Sequence, residues 1–384
     1  MADTILHINT ERGWRGGEAQ TLRLALGLTA RGHRCLLVVQ PESALFGRAA
    51  DAGLDPIPVP MNGEMDLLAA RRIGRLVKSE GVALLHYHTA HAVGLGTLAT
   101  CFSGRRPAVA SRRVSFRLRG LFLGRLKYTW RVDRILAVSR AIKDRLIAQG
   151  FDAGRIVVVH SGIDPERFAA GGRERFRASL RAIDPGFREG LFLAGTAGHL
   201  AAHKGIDLFL EAAALAVPER PDLRFVVIGE GDEEPRLRRL AMRLGLLDRV
   251  LFTGFREDMP DAFAGLDLFV LSSRSGEGSP AVVKEAMAAG VPIAATFLEG
   301  LDELVEDGVH GLLTPPGNAP ALARAMVLLA SDAALRSRLR VAALERVREF
   351  SADRMVEATE AVYRSLLRGD EQGQGQRLLH GSAE

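Results

Sequence analysis

Only two cysteines, Cys35 and Cys101, occur in 384 residues, and each sits in an apolar run far from the other. Two isolated thiols argue against a disulfide framework or a cysteine-based zinc site, and they suit a reducing compartment. No uninterrupted apolar stretch approaches the roughly 18–20 residues that a membrane-spanning helix needs. The start, Met-Ala-Asp, runs straight into Thr4-Ile5-Leu6-His7-Ile8 without a basic segment or a signal-like core. The expectation is a cytoplasmic chain, peripheral at most on the cytoplasmic face of the inner membrane. A composition of 47% hydrophobic and 25% charged residues is that of a folded globular protein and excludes wholesale disorder.

Strong charge of one sign is also lacking, since the formal net charge is only +5. What excess exists is local. Between Arg112 and Arg134 lie eight basic residues and one acid, Asp133, interleaved with Phe116, Leu118, Leu121, Phe122, Leu123, Leu126, Tyr128 and Trp130. A nucleic-acid binder spreads its cations over a larger face, so no nucleic-acid partner is expected. A single basic, aromatic segment is better suited to an anionic membrane surface or an anionic substrate.

The dominant rhythm is a short apolar strand, a glycine-rich or polar turn, then an amphipathic helix. Strands are expected at Thr4–Ile8, Cys35–Val39, Ile57–Val59, Ala83–Tyr87, Ala108–Ser111, Ile135–Val138 and Ile156–His160. After a charged stretch with several glycines the rhythm restarts, from Leu191–Thr196 to Gly311–Leu313. Strands rich in Val, Ile and Leu without alternation indicate parallel sheets buried on both faces. The expected fold is α/β: two Rossmann-like, doubly wound domains facing each other across a cleft, which the length allows. The boundaries read as residues 1–165, a linker at 166–190, a second domain at 191–350, a helix at 351–368 and a disordered tail at 369–384.

The most informative segment is Ser275-Gly276-Glu277-Gly278-Ser279-Pro280-Ala281-Val282-Val283-Lys284-Glu285-Ala286-Met287-Ala288-Ala289-Gly290-Val291-Pro292. It follows a buried strand and opens a helix. Gly276 and Gly278 let backbone approach a ligand, while Ser279 reads as an N-cap with Pro280 at the first helical position. Free N–H groups and the positive helix end then suit a diphosphate. Glu277 and Glu285 would repel phosphate, so they make sense as acceptors of sugar and ribose hydroxyls. The bland alternative is a capped surface helix with two solvated glutamates.

Glu277, seven residues, Glu285 and then Ala-Met-Ala-Ala-Gly-Val-Pro resemble the signature of the group 1 family of retaining GT-B glycosyltransferases. Six further motifs fall in the family's order: Gly16-Gly17-Glu18, Val138-Ser139, Ser161-Gly162-Ile163-Asp164, Gly198 through Lys204-Gly205, Val227-Ile228-Gly229-Glu230-Gly231 and Phe252-Thr253-Gly254-Phe255. The resemblance implies a transferase that moves a sugar from a nucleotide-diphosphate sugar, bound by the C-terminal domain, to a glycan or glycolipid acceptor on the N-terminal one. It implies retention of anomeric configuration, no cofactor and no obligatory metal. In keeping with that, no Asp-x-Asp pair stands at a strand end to hold a cation.

By the same resemblance Glu277 holds the donor sugar's hydroxyls, Glu285 the ribose and Lys204 the diphosphate. Gly254 and Phe255 meet the base, Gly278 and Ser279 lie along the donor, and Gly16 and Gly17 line the loop over the reacting centre. Three departures stand out. His199 occupies a position often held by arginine, which leaves more leaving-group charge to Lys204. Glu299-Gly300 replaces the usual glycine pair. Arg112-Arg113 replaces a histidine and suggests an acceptor bearing phosphate or carboxylate. Six histidines, at 86, 88, 91, 160, 199 and 203, fall at or after strand ends. A zinc site among 86, 88 and 91 is the less favoured reading; among the histidines His88 is the candidate, because a strand end exposes it, and it joins Glu277 and Lys204 as the expected catalytic residues. Assembly of envelope glycolipid or lipopolysaccharide is the expected setting. The alternatives are a nucleotide-sugar epimerase of the same fold, or a non-catalytic basic protein of membranes or nucleic acid.

Overall fold

The computed structural model describes residues 2–113 and 126–380, the last twelve of these as backbone alone. The chain divides into two compact units, residues 1–162 with 352–384, and residues 163–351.

In the first unit seven strands form one parallel sheet: β1 (Thr4–Ile8), β2 (Arg34–Val39), β3 (Pro56–Pro58), β4 (Leu84–Tyr87), β5 (Ala108–Arg112), β6 (Arg134–Ala137) and β7 (Ile156–Val158). Their order is β3-β2-β1-β4-β5-β6-β7, and every adjacent pair is parallel. The sheet is apolar on both faces because helices cover both. One face packs Leu6, Ile8, Val38, Leu85 and Tyr87 against Ile73, Val77, Val93 and Leu95 from the Leu67–Ser79 and Ala90–Ser103 helices. The other packs Ile5, Leu84, Val109 and Leu136 against Leu24, Leu28, Met355, Val356, Val362 and Tyr363.

That second face is completed by the far end of the chain. The Ala352–His380 helix lies along the Gly16–Ala30 helix, close enough that a Cβ on Gly27 would fall 2.5 Å from Val356 Cγ2. From the sequence, the helix is expected to end at residue 368 and a polar, disordered tail to follow it. The backbone runs on to His380, and residues 381–384 lie outside the described residues.

The second unit repeats the plan with β8 (Phe192–Ala197), β9 (Leu223–Ile228), β10 (Val250–Gly254), β11 (Leu268–Leu271), β12 (Ile293–Thr296) and β13 (Leu312–Thr314). Their order is β10-β9-β8-β11-β12-β13, again all parallel. Residues 166–190, read from sequence as a linker, hold most of the short Pro165–Ala169 helix and the Arg173–Ile183 helix. These belong to the second unit, because Phe168, Phe176, Leu180 and Phe187 insert into its core. The charged residues that suggested a linker cover the outer face of the longer helix. Among the described residues no helix is long and apolar enough to cross a membrane.

Candidate functional site

A doubly wound sheet presents its ligand crevice at the carboxyl ends of strands on either side of the point where the winding reverses. In the second unit that point lies between β8 and β11. The turn after β8 carries His199 and Lys204, and the turn after β11 carries Glu277. These turns meet. Lys204 Nζ lies 2.6 Å from Glu277 Oε1, and Ser273 Oγ donates to the same oxygen at 2.7 Å. Ser273 is itself placed by β12, whose Thr296 hydroxyl donates to its carbonyl at 2.6 Å.

Backbone geometry brings the two turns this close. Gly205 has φ +62°, and a Cβ there would stand 2.1 Å from the Ser272 carbonyl oxygen. Gly229, at the end of β9 with φ +128°, packs equally tightly, since its Cβ would lie 1.9 Å from the Gly198 oxygen. Arg274 N–H donates to the His203 carbonyl at 2.8 Å. Its guanidinium lies 3.3 Å from Asp207, which Arg236 also reaches at 3.2 Å. The floor beneath Lys204 and Glu277 is thus held from both sides.

The helix that follows begins at Ala281, not at Pro280, with Pro280 in the cap position and no side chain capping it. Pro280 takes ψ 117°, so the chain turns helical one residue later than a Ser279 cap would require. Pro280 itself offers no side-chain oxygen to the first-turn N–H groups, which suits an anion. Glu285 is half-buried on this helix, while its neighbour Lys284 is buried with its ammonium 5.3 Å from the Phe350 ring. Gly278 is buried, His199 exposed, and Phe255, beyond Gly254 at the end of β10, half-exposed.

The first unit has its own switch point, between β1 and β4. His7 and His86 are register partners there, and His88 follows β4 with its N–H on the Ile8 carbonyl at 3.0 Å. Neighbouring strands lie about 4.8 Å apart, so the three side chains cluster; a ligating nitrogen of each falls within 4.8 Å of the others. His7 Nδ1 and His88 Nε2 are 2.9 Å apart. Arg113 donates to His88 Nδ1 at 2.9 Å and to its carbonyl at 3.2 Å. His86 meets the Tyr363 hydroxyl at 2.5 Å and Ser111 Oγ at 2.8 Å.

Arginine only donates, so His88 Nδ1 accepts and its proton is on Nε2. That N–H donates to His7 Nδ1, which leaves the His7 proton on Nε2, buried and without a partner among the described residues. Burial first, and the Arg113 charge after it, lowers His7 to about 3. Burial likewise holds His86 and His88 well below the ordinary histidine range. Burial also lowers Arg113 to about 10, against the pull of Glu18. Three neutral imidazoles have the chemistry of metal ligands, but the guanidinium on His88 opposes a divalent ion.

Several sequence expectations are redrawn here. His88 is buried and not exposed, because its side chain turns in beneath the loop after β1 to meet His7. His91 stands exposed on the next helix, away from the cluster, and His7 takes its place. Arg112 and Arg113 do not lie side by side, since adjacent residues at a strand end point to opposite faces. Arg112 is buried against Tyr128, while Arg113 joins the histidines. Gly16 and Gly17 are the first residues of the Gly16–Ala30 helix, whose Glu18 accepts from Arg15 N–H at 3.1 Å and from Asn9 at 3.3 Å. Of the basic segment, residues 114–125, including Arg117, Arg119 and Arg125, lie outside the described residues. In the rest, Tyr128 is core, while Leu126 and Trp130 are about half exposed. Sequence reasoning missed Ser273, His7 and Tyr363. A polar pair, Ser272-Ser273, closing a fully apolar strand was the available signal for the first.

Two doubly wound parallel sheets, the second with an acid–lysine pair at its switch point, define the GT-B class. Anabaena HepE, solved with UDP and glucose, superposes with a TM-score of 0.85 over 95% of this chain and all of that one, at 22% identity. The family profiles Glycosyltransferase Family 4 and Glycosyl transferases group 1 match residues 14–167 and 192–332. The lipopolysaccharide core biosynthesis mannosyltransferase LpsB of Rhizobium meliloti is 31% identical over 249 residues, 62% of this chain and 67% of that protein. The D-inositol 3-phosphate glycosyltransferase of Streptomyces avermitilis is 30% identical over 316 residues, 79% of this chain and 63% of that one. The chain belongs to the group 1 glycosyltransferases. It spans 21% to 63% of the length of the first curated relatives it matches.

Proposed function

We propose that this chain transfers a sugar from a nucleotide-diphosphate sugar to an envelope glycolipid or polysaccharide, with retention and without a metal. The observation that carries the reading is the Lys204–Glu277 pair, 2.6 Å apart, with Glu277 in the turn that leads to a helix N-terminus whose cap residue is Pro280. In this proposal the donor diphosphate takes over Lys204 and the first N–H groups of the Ala281–Ala288 helix. Glu277, released from the ammonium but still held by Ser273, then accepts from the donor sugar's hydroxyls. Glu285 accepts from the ribose, and Gly254 and Phe255 flank the base. Charge that develops on the leaving diphosphate is met by Lys204, His199 and the helix end.

On the acceptor side, Gly16 and Gly17 open the Gly16–Ala30 helix, and their backbone would approach the substrate closely. Arg113 supplies a cation beside His88 for an acceptor carrying phosphate or carboxylate. The remainder of the basic run up to Arg134, with Leu126 and Trp130 half exposed, would hold the enzyme at an anionic membrane face. HepE was solved with UDP-glucose, and LpsB acts in lipopolysaccharide core synthesis by its name. Both lend the reading their direction.

A thermal-shift panel of UDP-, GDP- and ADP-sugars tests it, because a ligand at 100 times its Kd adds about 2.7 kcal/mol. The matching donor should then be consumed in the presence of lipid-linked or lipopolysaccharide acceptors, with the anomer read by NMR and activity unchanged by chelator. No shift with any nucleotide sugar would favour a non-catalytic protein. An inverted product, or abolition by chelator, would overturn the retaining, metal-free assignment.

A further inference from the structure

The amino ends of β5, β6 and β7 share one edge of the first sheet, opposite to the edge that carries Arg113 and the histidines. An open cavity of about 580 Å³ lies there, lined by Arg105, Thr129, Trp130, Arg131, Val132, Asp133, Arg134 and Arg155. Four guanidiniums thus surround one carboxylate. Arg105 pairs with Asp133 at 2.8 Å, and Asp133 also accepts from Ala108 N–H at 2.8 Å. The other three have no anionic partner among the described residues. Arg131 donates to the Thr100 hydroxyl at 3.2 Å, Arg134 to the Asp133 carbonyl at 2.9 Å, and Arg155 to the carbonyls of Thr129 (3.1 Å) and Val132. Neutral oxygens satisfy hydrogen bonds but not charge, so the cavity keeps about three uncompensated positive charges.

The local backbone supports the same reading. Arg131 sits at φ +61°, a left-handed conformation that a branched or long side chain adopts only where its surroundings hold it. From there its guanidinium lies 5.1 Å from the centre of the Trp130 ring, and that indole is half exposed at the rim. Arg155 is immobilised by two backbone carbonyls, so its charge is positioned in advance. Planar guanidiniums converging on a concave site match the tetrahedral oxyanion of a phosphate, which they bind through paired N–H groups.

We propose that this cavity is a phosphate-binding site, separate from the donor and acceptor sites, for a phosphomonoester or diphosphate group. The group belongs either to a soluble phosphorylated metabolite or to a phospholipid headgroup. The proposal does not depend on the transferase reading.

The chain has two tryptophans, Trp14 and Trp130, so a Trp14→Phe background leaves Trp130 as the only indole. Its fluorescence is followed against inorganic pyrophosphate, and in parallel against phosphatidylglycerol and phosphatidylcholine vesicles, at constant ionic strength. Saturation by pyrophosphate alone assigns a soluble ligand, whereas saturation by phosphatidylglycerol vesicles assigns a headgroup; either supports the site. In the same background, Arg105→Gln with Arg134→Gln should weaken the response at least tenfold. Arg131→Gly should weaken it as well while leaving the melting temperature unchanged or higher, because glycine adopts φ +61° without strain. That variant separates lost binding from lost folding. No saturable change with either probe overturns the proposal, as does a response reproduced by chloride or unchanged affinity in both variants.

Discussion

Lys204 Nζ and Glu277 Oε1 lie 2.6 Å apart, so two residues that the family resemblance assigns to different parts of the donor hold each other. The pair keeps an almost fully buried carboxylate compensated until a ligand displaces the ammonium. Donor binding on this view is an exchange of partners and not the filling of a preset vacancy.

Removing the ammonium tests that exchange. Lys204→Ala should lower kcat by a factor on the order of 10²–10³ and raise the donor KM less, because diphosphate charge grows towards the transition state. Steady-state kinetics with the matching donor would decide it. A variant with normal kcat and only a raised KM would confine Lys204 to ground-state binding.

Glu285→Ala should weaken binding of the matching nucleoside diphosphate by about 2–3 kcal/mol through the loss of charge-assisted hydrogen bonds. Calorimetric titration against the parent protein provides the measurement. Equal affinities would remove Glu285 from the ribose.

Gly205→Ala combines a left-handed φ of +62° with a Cβ that would lie 2.1 Å from the Ser272 oxygen. The conformational cost alone is about 1–2 kcal/mol, and the clash must also push apart the turns bearing Lys204 and Glu277. We expect lower urea stability together with a donor affinity reduced at least tenfold. An unaffected affinity would show that the two turns need not stay in register.

The histidine cluster sets a pH dependence. His7 is neutral in the folded protein down to about pH 3, whereas unfolded it takes up a proton near 6.5. Between those values the unfolded state binds more protons, so stability present above pH 6.5 is lost as the pH falls. The slope is up to about 1.4 kcal/mol per pH unit from His7 alone. Urea unfolding at pH 7.5 and pH 5 should differ by about 2 kcal/mol or more, and His7→Gln should narrow the gap. Identical gaps would mean that His7 is already charged in the fold.

Strand positions, parallel winding and the Glu277–Glu285 spacing were legible because each is a local pattern of side chains. Three things were not. The cluster around His88 depends on the register of β1 against β4, which pairs His7 with His86 although nearly eighty residues separate them. The helices at 165–183 were masked by arginine-rich outer faces, and their buried phenylalanines gain meaning only against the second core. The split between Arg112 and Arg113 follows from where β5 ends, and strand ends are the least certain part of any pattern.

The Ala352–His380 helix supplies Met355, Val356, Val362 and Tyr363 to the first sheet, including the hydroxyl that meets His86. During synthesis the sheet built by residue 162 therefore waits for the whole of the second unit to be made before this face is completed. At ordinary elongation rates the wait is roughly 10–40 s. A nascent chain in that interval shows Ile5, Leu84, Val109 and Leu136 to the cell, so the first unit is the one that a ribosome-bound chaperone would find. A graft of the first 162 residues onto another transferase would carry the same exposure for good unless the closing helix travelled with them.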